Sequence, residues 1–271
     1  MRLSTCVATA IVVGWAIAAV LHPVFVDDAI RVELAALFRA PDALAWLGTD
    51  ELGRPIAQRV LAGAAVSCGV AVVVVAASLV VGTTIGVVGA WAGGAVDTAL
   101  ARLIDVFMAF PGILLAIALA GVLGPGIGNV LIALAAVGWV GFARLARAQT
   151  LALKAREHVS VARALGTPPP VILWRHVLPL AAAPLIVEAT FALASTIVAE
   201  AGLSFLGLGA QPPLPSWGSM IRQAMQYLLV APHMLFGPCF ALMSIAVSAN
   251  LLGDRLRDRW LLRSSPGGRA A

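Results

Sequence analysis

The sequence predicts an all-α membrane protein with about six transmembrane helices. Its residues are 61% hydrophobic and 11% charged, whereas soluble domains carry about 25% charged residues. The mean hydropathy is +0.98, and a helix needs about 20 apolar residues to cross a bilayer. Six apolar segments reach that length, at residues 6–26, 66–91, 104–123, 128–148, 180–206 and 234–252.

The first apolar segment could also be a signal peptide, with Arg2 as a minimal basic start. A signal peptide has a short apolar core and a cleavage site with small residues. The length of this segment and the lack of a clear cleavage site favour a retained membrane anchor.

Lysine and arginine residues orient the six spans. With both chain ends in the cytoplasm, thirteen of these residues fall in inner segments and five in outer ones. Because short cytoplasmic loops hold an excess of lysine and arginine, we expect cytoplasmic N and C termini. The pI near 10.1 then reflects the inner face of the membrane, and nucleic-acid binding is not needed to explain it.

The outer segment, residues 27–59, contains the sequence GTDELGR at residues 48–54. Gly48 and Gly53 predict turns. Asp50 could cap the short helix that follows. An ordered turn on the outer face is therefore expected here.

The second span has three glycines, Gly82, Gly86 and Gly89, at three- and four-residue spacing. This spacing places them on one side of a helix, where small residues allow a second helix to approach closely. Helix packing is the expected role, in preference to pore lining.

The inner connection to the third span carries Arg102 and Asp105, with Asp97 nearby. Charges so close to a span are expected at the interface, where Arg102 would pair with Asp105 or Asp97. Pro111 follows early in the span and predicts a kink.

The interval 144–179 contains six cations and one acid, Glu157, which predicts a cytoplasmic loop. Its apolar spacing indicates two short helices, separated at Gly166 and the prolines that follow, with the second helix closed by Pro179. A small amphipathic helix between two spans is suited to docking in a groove of a soluble partner. An ordinary solvated loop is the equally weighted alternative.

The fifth span contains the only two acids well inside apolar sequence, Glu188 and Glu200. An ionisable group at membrane depth is costly unless it faces a polar cavity or a partner. Each could therefore lie on a translocation path or be a hydrogen-bonded structural acid.

Part of the interval 144–179 resembles the coupling motif of ABC importer permeases, usually written E-A-A-x-x-x-G with a downstream I-x-L-P. Ser160 stands where the motif has Glu, and Val161 stands where it has the first Ala. Residues 154–179 are called the coupling segment below. Its matching positions are Val159, Ser160, Val161, Ala162, Arg163, Ala164, Leu165 and Gly166, followed by Arg175, His176, Val177, Leu178 and Pro179.

Four further blocks resemble the permeases of the dipeptide, oligopeptide and nickel class, in particular the second, C-type permease of the pair. They are GTDELGR at 48–54, RLIDVFMAFP at 102–111, AEAGLSFLGLG at 199–209 and NLLGDRLRD at 250–258. The resemblance implies a type I ABC importer permease fold with a cytoplasmic coupling helix. It also implies three regions: an N-terminal helix and outer segment at 1–60, a permease core at 61–253 and a cytoplasmic tail at 254–271.

The resemblance implies half of a translocation pore in a bacterial inner membrane. The expected partners are a homologous second permease subunit, two cytoplasmic ATPase subunits, an extracytoplasmic binding protein and membrane lipid. The chain has no G-x-x-x-x-G-K-[ST] loop, so ATP and Mg²⁺ are expected in the partner subunits, with no cofactor or metal bound by this chain. Peptide is the first expectation for the substrate, and nickel is the alternative.

Three other functions remain open from the residues alone. An intramembrane enzyme would need paired catalytic groups, and neither Glu188 nor Glu200 has a nearby histidine or second acid in the sequence. A proton-coupled transporter could use Glu188. A non-transport scaffold would be distinguished by the absence of a partner ATPase.

Overall fold

The computed structural model describes residues 3–43 and 45–264, and the regular elements within these ranges are all helices. A 3-10 turn (Leu34–Ala36) and a π turn (Leu173–Val177) join the α-helices. In chain order the α-helices are α1 (Leu3–Val20), α2 (His22–Ile30), α3 (Ile56–Ala92), α4 (Gly94–Met108), α5 (Gly112–Leu123), α6 (Ile127–Lys154), α7 (Glu157–Ala164), α8 (Pro169–Ile172), α9 (Leu178–Phe205), α10 (Trp217–Gln226) and α11 (His233–Ser264).

Five described helical segments are long and apolar enough to cross a membrane, and the bent pair α4–α5 makes a possible sixth. This confirms the expectation of about six spans. The first span is shorter than predicted, because α1 ends at Val20 and α2 begins at His22. Pro23 lies in the first turn of α2, where its fixed φ favours the start of a helix.

The third predicted span is two helices that meet at 82°. The break lies at Phe110 and Pro111, between α4 and α5. Proline lacks an amide hydrogen and disfavours helical geometry in the residue before it. Gly112 then starts α5. The predicted kink is therefore a break between two helices that are nearly perpendicular.

Residues Pro169–Phe205 form one long helical segment, so the prediction that Pro179 closes a separate short helix was wrong. The π turn Leu173–Val177 comes directly before Pro179, and the amide of Leu178 donates to the carbonyl of Leu173. This wider turn accommodates a proline, which can neither donate a hydrogen bond nor fit closely against the carbonyl four residues before it.

The loop predicted from Arg144 onward begins later than expected. Helix α6 continues to Lys154, so Arg144, Arg147 and Lys154 lie on a helix. The irregular part of the interval is confined to short connections on either side of α7.

One compact unit comprises Met1–Val74, Ala116–Leu134 and Leu193–Leu252. Its core is centred on Trp217, whose indole Nε1 donates to the carbonyl of Val60 at 2.9 Å. Trp15 packs edge to face on Trp217, with ring centroids 4.9 Å apart. Ser216 forms a capping box with Ser219 at the start of α10, and this fixes the end of the preceding loop, which contains Pro212, Pro213 and Pro215, to this core.

The second compact unit comprises Val75–Leu115, Ala135–Ala192 and Gly253–Ala271. Within it, α3 and α6 approach closely at Gly82 and Gly86. A Cβ atom on Gly86 would lie 2.9 Å from the Cβ of Ala146, and one on Gly82 would lie 2.7 Å from the Cβ of Phe142. The predicted packing role of these glycines is confirmed.

Candidate coupling site and membrane acids

Helix α7 ends in a Schellman motif, which gives the coupling segment a fixed turn. Gly166 has a φ of +76°, a left-handed conformation that glycine adopts without strain. The amide of Thr167 donates to the carbonyl of Ala162 at 3.1 Å, and the amide of Gly166 donates to that of Arg163 at 2.9 Å. Both are the bonds of this motif. The predicted helix end at Gly166 is confirmed.

One face of α7 is buried against the end of α3 and against α8. Val159, Ala162 and Ile172 form a small core, and the partly buried ring of Trp91 packs against it. Val159 and Ile172 have no exposed surface. The coupling segment is therefore attached to the chain through side-chain packing as well as through its two covalent ends.

Two cationic side chains, Arg163 and Lys154, bind the end of α3 at Trp91. The guanidinium of Arg163 lies over the ring of Trp91, 4.3 Å from the centroid. Lys154 Nζ donates to the carbonyls of Ala90 and Trp91 at 3.1 and 2.7 Å. These carbonyls lie in the last turn of α3, where a positive charge is favoured by the helix dipole.

The opposite face of α7 is open. Val161 is 56% exposed and Leu165 is 79% exposed. Their four-residue spacing places them in one row along the helix. Ser160, Ala164 and Gly166 are also exposed, so the residues that match the motif outside the buried face are accessible to a partner.

The downstream residues of the motif lie at the start of the long helical segment. His176 is half-buried, and its ring centroid is 6.2 Å from that of His158. Leu178 is half-buried and Pro179 is exposed. Because α8, the π turn and α9 are continuous, these residues connect the coupling segment to a membrane span.

The predicted interface pair is not formed. Asp97 of α4 accepts two hydrogen bonds from the guanidinium of Arg147 on α6, at 2.6 and 2.8 Å. Among the described residues, no ion pair within 4 Å joins Arg102 to Asp105 or Asp97. Arg102 is exposed. Arg147 lies close enough to Asp97 for two nitrogens of its guanidinium to bind the two carboxylate oxygens.

The two acids of α9 have different surroundings. Glu200 is 1% exposed, and its Oε1 accepts a hydrogen bond from Ser204 at 2.6 Å. Ser204 Oγ in turn accepts from the amide of Ala210 at 3.3 Å. Glu188 is half-buried, and its Oε1 lies 3.4 Å from the position that a Cβ on Gly141 of α6 would occupy. No ion pair to Glu188 is found within the described ranges.

An ion-pair network in the outer segment is more extensive than the sequence indicated. Asp50 accepts hydrogen bonds from the amides of Leu52 and Arg54, both at 2.9 Å, and from Arg54 Nε at 2.7 Å. The guanidinium of Arg59 also contacts Asp50 and donates to Gln223 of α10 at 3.0 Å. The predicted turns at Gly48 and Gly53 are confirmed by φ values of +77° and +73°.

The sequence suggested only a helix cap for Asp50, and the capping role is absent because its carboxylate binds loop amides and two arginines. From the sequence, Arg59 was only one of five lysine and arginine residues assigned to outer segments, and its contact with Asp50 was not predicted. The spacing of the two residues could have indicated their contact. Asp50 and Arg59 are nine residues apart with Gly53 and Pro55 between them, and a tight turn at these residues can bring the two side chains together.

Known proteins match this chain in sequence and in fold. The family described as "Binding-protein-dependent transport system inner membrane component" matches residues 78–261. The glutathione transport system permease protein GsiD of Pectobacterium atrosepticum is 40% identical over 222 residues, which are 82% of this chain and 74% of that protein. The dipeptide transport system permease protein DppC of Alkalihalophilus pseudofirmus is 40% identical over 220 residues, which are 81% and 72% of the two chains.

A chain of the MetNI methionine ABC transporter, solved in an inward-facing conformation, has a similar fold. The TM-score is 0.61 with 18% sequence identity, and the match covers 75% of this chain and 97% of that chain. This likeness confirms the predicted type I ABC importer permease fold. The division into regions 1–60, 61–253 and 254–271 stays a prediction. On the family match and the two relatives, this multi-pass membrane protein belongs to the binding-protein-dependent transport system inner membrane components, the permeases of ABC importers.

Proposed function

We propose that this chain forms half of the translocation pore of an ATP-driven importer of dipeptides or oligopeptides. The two relatives described above are named for glutathione and dipeptide transport, which supports peptide over the nickel alternative. A homologous second permease subunit completes the pore in lipid. A binding protein delivers the peptide from outside the inner membrane, and both termini of this chain lie in the cytoplasm.

The structure of the coupling segment is the observation that carries this proposal. Its buried face holds it on the end of α3, while Val161 and Leu165 are exposed in a row on the other side. An amphipathic helix with such anchors suits a groove on a soluble protein. We assign that groove to a cytoplasmic ATPase subunit. The complex contains two such subunits, one for the coupling segment of each permease, and they bind ATP and Mg²⁺.

The mechanism that follows is alternating access. Closure of the two ATPase subunits on ATP draws the coupling segments of both permeases together. Because α6 leads into the coupling segment and α9 leads out of it, this movement is passed to two membrane helices. The pore then opens outward to the loaded binding protein, and ATP hydrolysis returns it to the inward-open state.

Aspartate in place of Leu165 or Val161 should weaken ATPase binding without unfolding the permease. Both side chains are exposed, so the substitution costs little in the free chain. In the complex, a charge in an apolar groove should cost about 2 kcal/mol or more, a loss of roughly 30-fold in affinity. Association with the co-expressed ATPase subunits and stimulated ATP hydrolysis should be measured in lipid nanodiscs.

Leu229→Asp is the matched control, because Leu229 is 99% exposed in the connection between α10 and α11. This variant should bind the ATPase subunits as the unmodified chain does. Normal ATPase binding by both coupling-segment variants would contradict the docking assignment. Failure of the unmodified chain to bind ATPase subunits would contradict the proposed function itself.

We assign Glu188 to the translocation path and Glu200 to a structural role. The surroundings of Glu200 are a buried hydrogen-bonded network, which holds the end of α9 to the loop that follows. Glu188 is half-buried beside a glycine, and an acid at this depth needs a polar cavity or a partner. A carboxylate beside the path would attract the ammonium group of a peptide.

Exchange of these two acids for uncharged groups should separate the two roles. Glu188→Gln should lower peptide uptake about tenfold and leave the melting temperature unchanged. Glu200→Ala should lower the free energy of unfolding by about 2 kcal/mol, because it leaves a cavity and an unpaired Ser204 hydroxyl. Uptake into proteoliposomes and thermal melting measure the two effects. Unchanged uptake by Glu188→Gln would remove Glu188 from the path.

A further inference from the structure

The coupling segment has a third connection to the membrane helices, besides its two covalent ends. Trp91 lies in the last turn of α3, and Ala92 is the last residue of that helix. Its ring packs against the buried core of the coupling segment, formed by Val159, Ala162 and Ile172. These contacts join parts of the chain that are about 70 residues apart.

Two cations bind at this connection. Arg163 comes from the last turn of α7, and its guanidinium lies 4.3 Å from the centroid of the Trp91 ring. Tryptophan is the aromatic side chain that attracts a cation most strongly, and arginine is the cation found more often over such a ring. Lys154, the last residue of α6, binds the carbonyls of Ala90 and Trp91. Three helices, α3, α6 and α7, therefore meet at Trp91.

The chain beyond Trp91 is fixed as well. Gly93 and Gly94 have φ values of +70° and +55°, so the chain turns sharply into α4 with two residues in the left-handed region. Asp97 in the first turn of α4 then forms its two hydrogen bonds with Arg147 of α6. The end of α3 therefore contacts α7 through Arg163 and α6 through Lys154, and the α4 helix that follows it is bound to α6.

We infer that Trp91 and Arg163 are positioning residues that transmit the movement of the coupling segment to α3. The inference rests on the proposed function, because it requires an ATPase subunit to move α7. Trp91 makes the apolar contact and Arg163 binds its ring from α7. Because α3 has 37 residues, it is long enough to cross the membrane, and a displacement at Trp91 acts on the end of a membrane helix.

The test compares transport with hydrolysis in the complete complex. The permease pair, its ATPase subunits and its binding protein are reconstituted in proteoliposomes, with labelled dialanine as the probe. Trp91→Leu and Arg163→Gln should each lower the number of dipeptides transported per ATP hydrolysed, by about fivefold, since one cation–aromatic contact is lost. In Trp91→Leu, which lies outside the coupling motif, ATPase binding and the rate of hydrolysis should stay near those of the unmodified complex.

Conservative and matched variants separate transmission from folding. Trp91→Phe and Arg163→Lys retain a ring and a charge, so both should recover most of the transport ratio. The double variant Trp91→Leu/Arg163→Gln should be no worse than Trp91→Leu alone, because Trp91→Leu already removes the ring that Arg163 binds. Arg257→Gln removes an exposed cation from α11 and should leave the ratio unchanged.

Two outcomes would overturn the inference: a normal transport ratio in Trp91→Leu and Arg163→Gln, or single effects that multiply in the double variant. A ratio that falls only together with the melting temperature, with no recovery in Trp91→Phe, would also overturn it in favour of a purely structural role. Failure of the unmodified complex to bind ATPase or to transport dialanine would instead contradict the proposed function.

Discussion

Asparagine in place of Asp50 should destabilise the protein by about 3 to 5 kcal/mol, because it removes the acid that pairs with buried Arg59 and leaves buried Arg54 with Glu51 alone. Arg54 and Arg59 have side chains only 5% and 3% exposed. Asparagine can still accept hydrogen bonds from the amides of Leu52 and Arg54 through its oxygen, so the loss is confined to the side that faces the arginines, where an NH2 group replaces the accepting oxygen. Thermal melting in detergent and the yield of folded protein should both fall sharply.

Arg39→Gln provides the control for Asp50→Asn. Arg39 pairs with Asp42 at 2.5 Å, but the two side chains are 44% and 35% exposed. An exposed pair contributes about 0 to 1 kcal/mol, so this variant should melt close to the unmodified protein. Equal melting temperatures for Asp50→Asn and the unmodified chain would contradict the central position of Asp50 in the outer segment.

Alanine in place of Gly86 should have the second large effect, a loss of about 2 to 3 kcal/mol from overpacking. The added Cβ would meet the backbone carbonyl of Ala143 and would lie 2.9 Å from the amide nitrogen of Arg147. Because these atoms belong to the backbone of α6, no side-chain rotation relieves the contact. The two helices must separate. Melting temperature and binding of the second permease subunit report the change.

Gly69→Ala on the same helix should change stability in the opposite direction. A Cβ atom on Gly69 would have no neighbour within 4 Å. Alanine is favoured over glycine inside a helix by about 1 kcal/mol, so this variant should melt slightly higher. A higher melting temperature for Gly86→Ala as well would show that α3 and α6 do not depend on close backbone contact.

The approximate number of spans was predictable because it follows from the length of the apolar segments. The packing role of the glycines in α3 was also predictable, since their spacing shows which side of the helix carries small residues. Gly166 was recognisable as a helix end because the residues after it are prolines. In each case the signal and the structure that it predicts lie in the same short stretch of sequence.

Features that depend on distant residues could not be predicted in this way. Arg147 is fifty residues from Asp97, and the nearer Arg102 was the natural but wrong choice. Pro179 is normally a helix breaker, and only the π turn before it allows the helix to continue. Trp91 has no motif around it. Its role depends on Arg163, which the end of α7 brings over the ring.

ATP-dependent uptake of a labelled dipeptide tests the central claim most directly. The permease pair is reconstituted with its ATPase subunits, with ATP and Mg²⁺ inside the proteoliposomes and the loaded binding protein outside. We predict uptake that requires ATP, the binding protein and this chain together, and that is unaffected when the proton gradient is collapsed. Uptake that continues without ATP and follows an imposed proton gradient would contradict the account and indicate a secondary transporter.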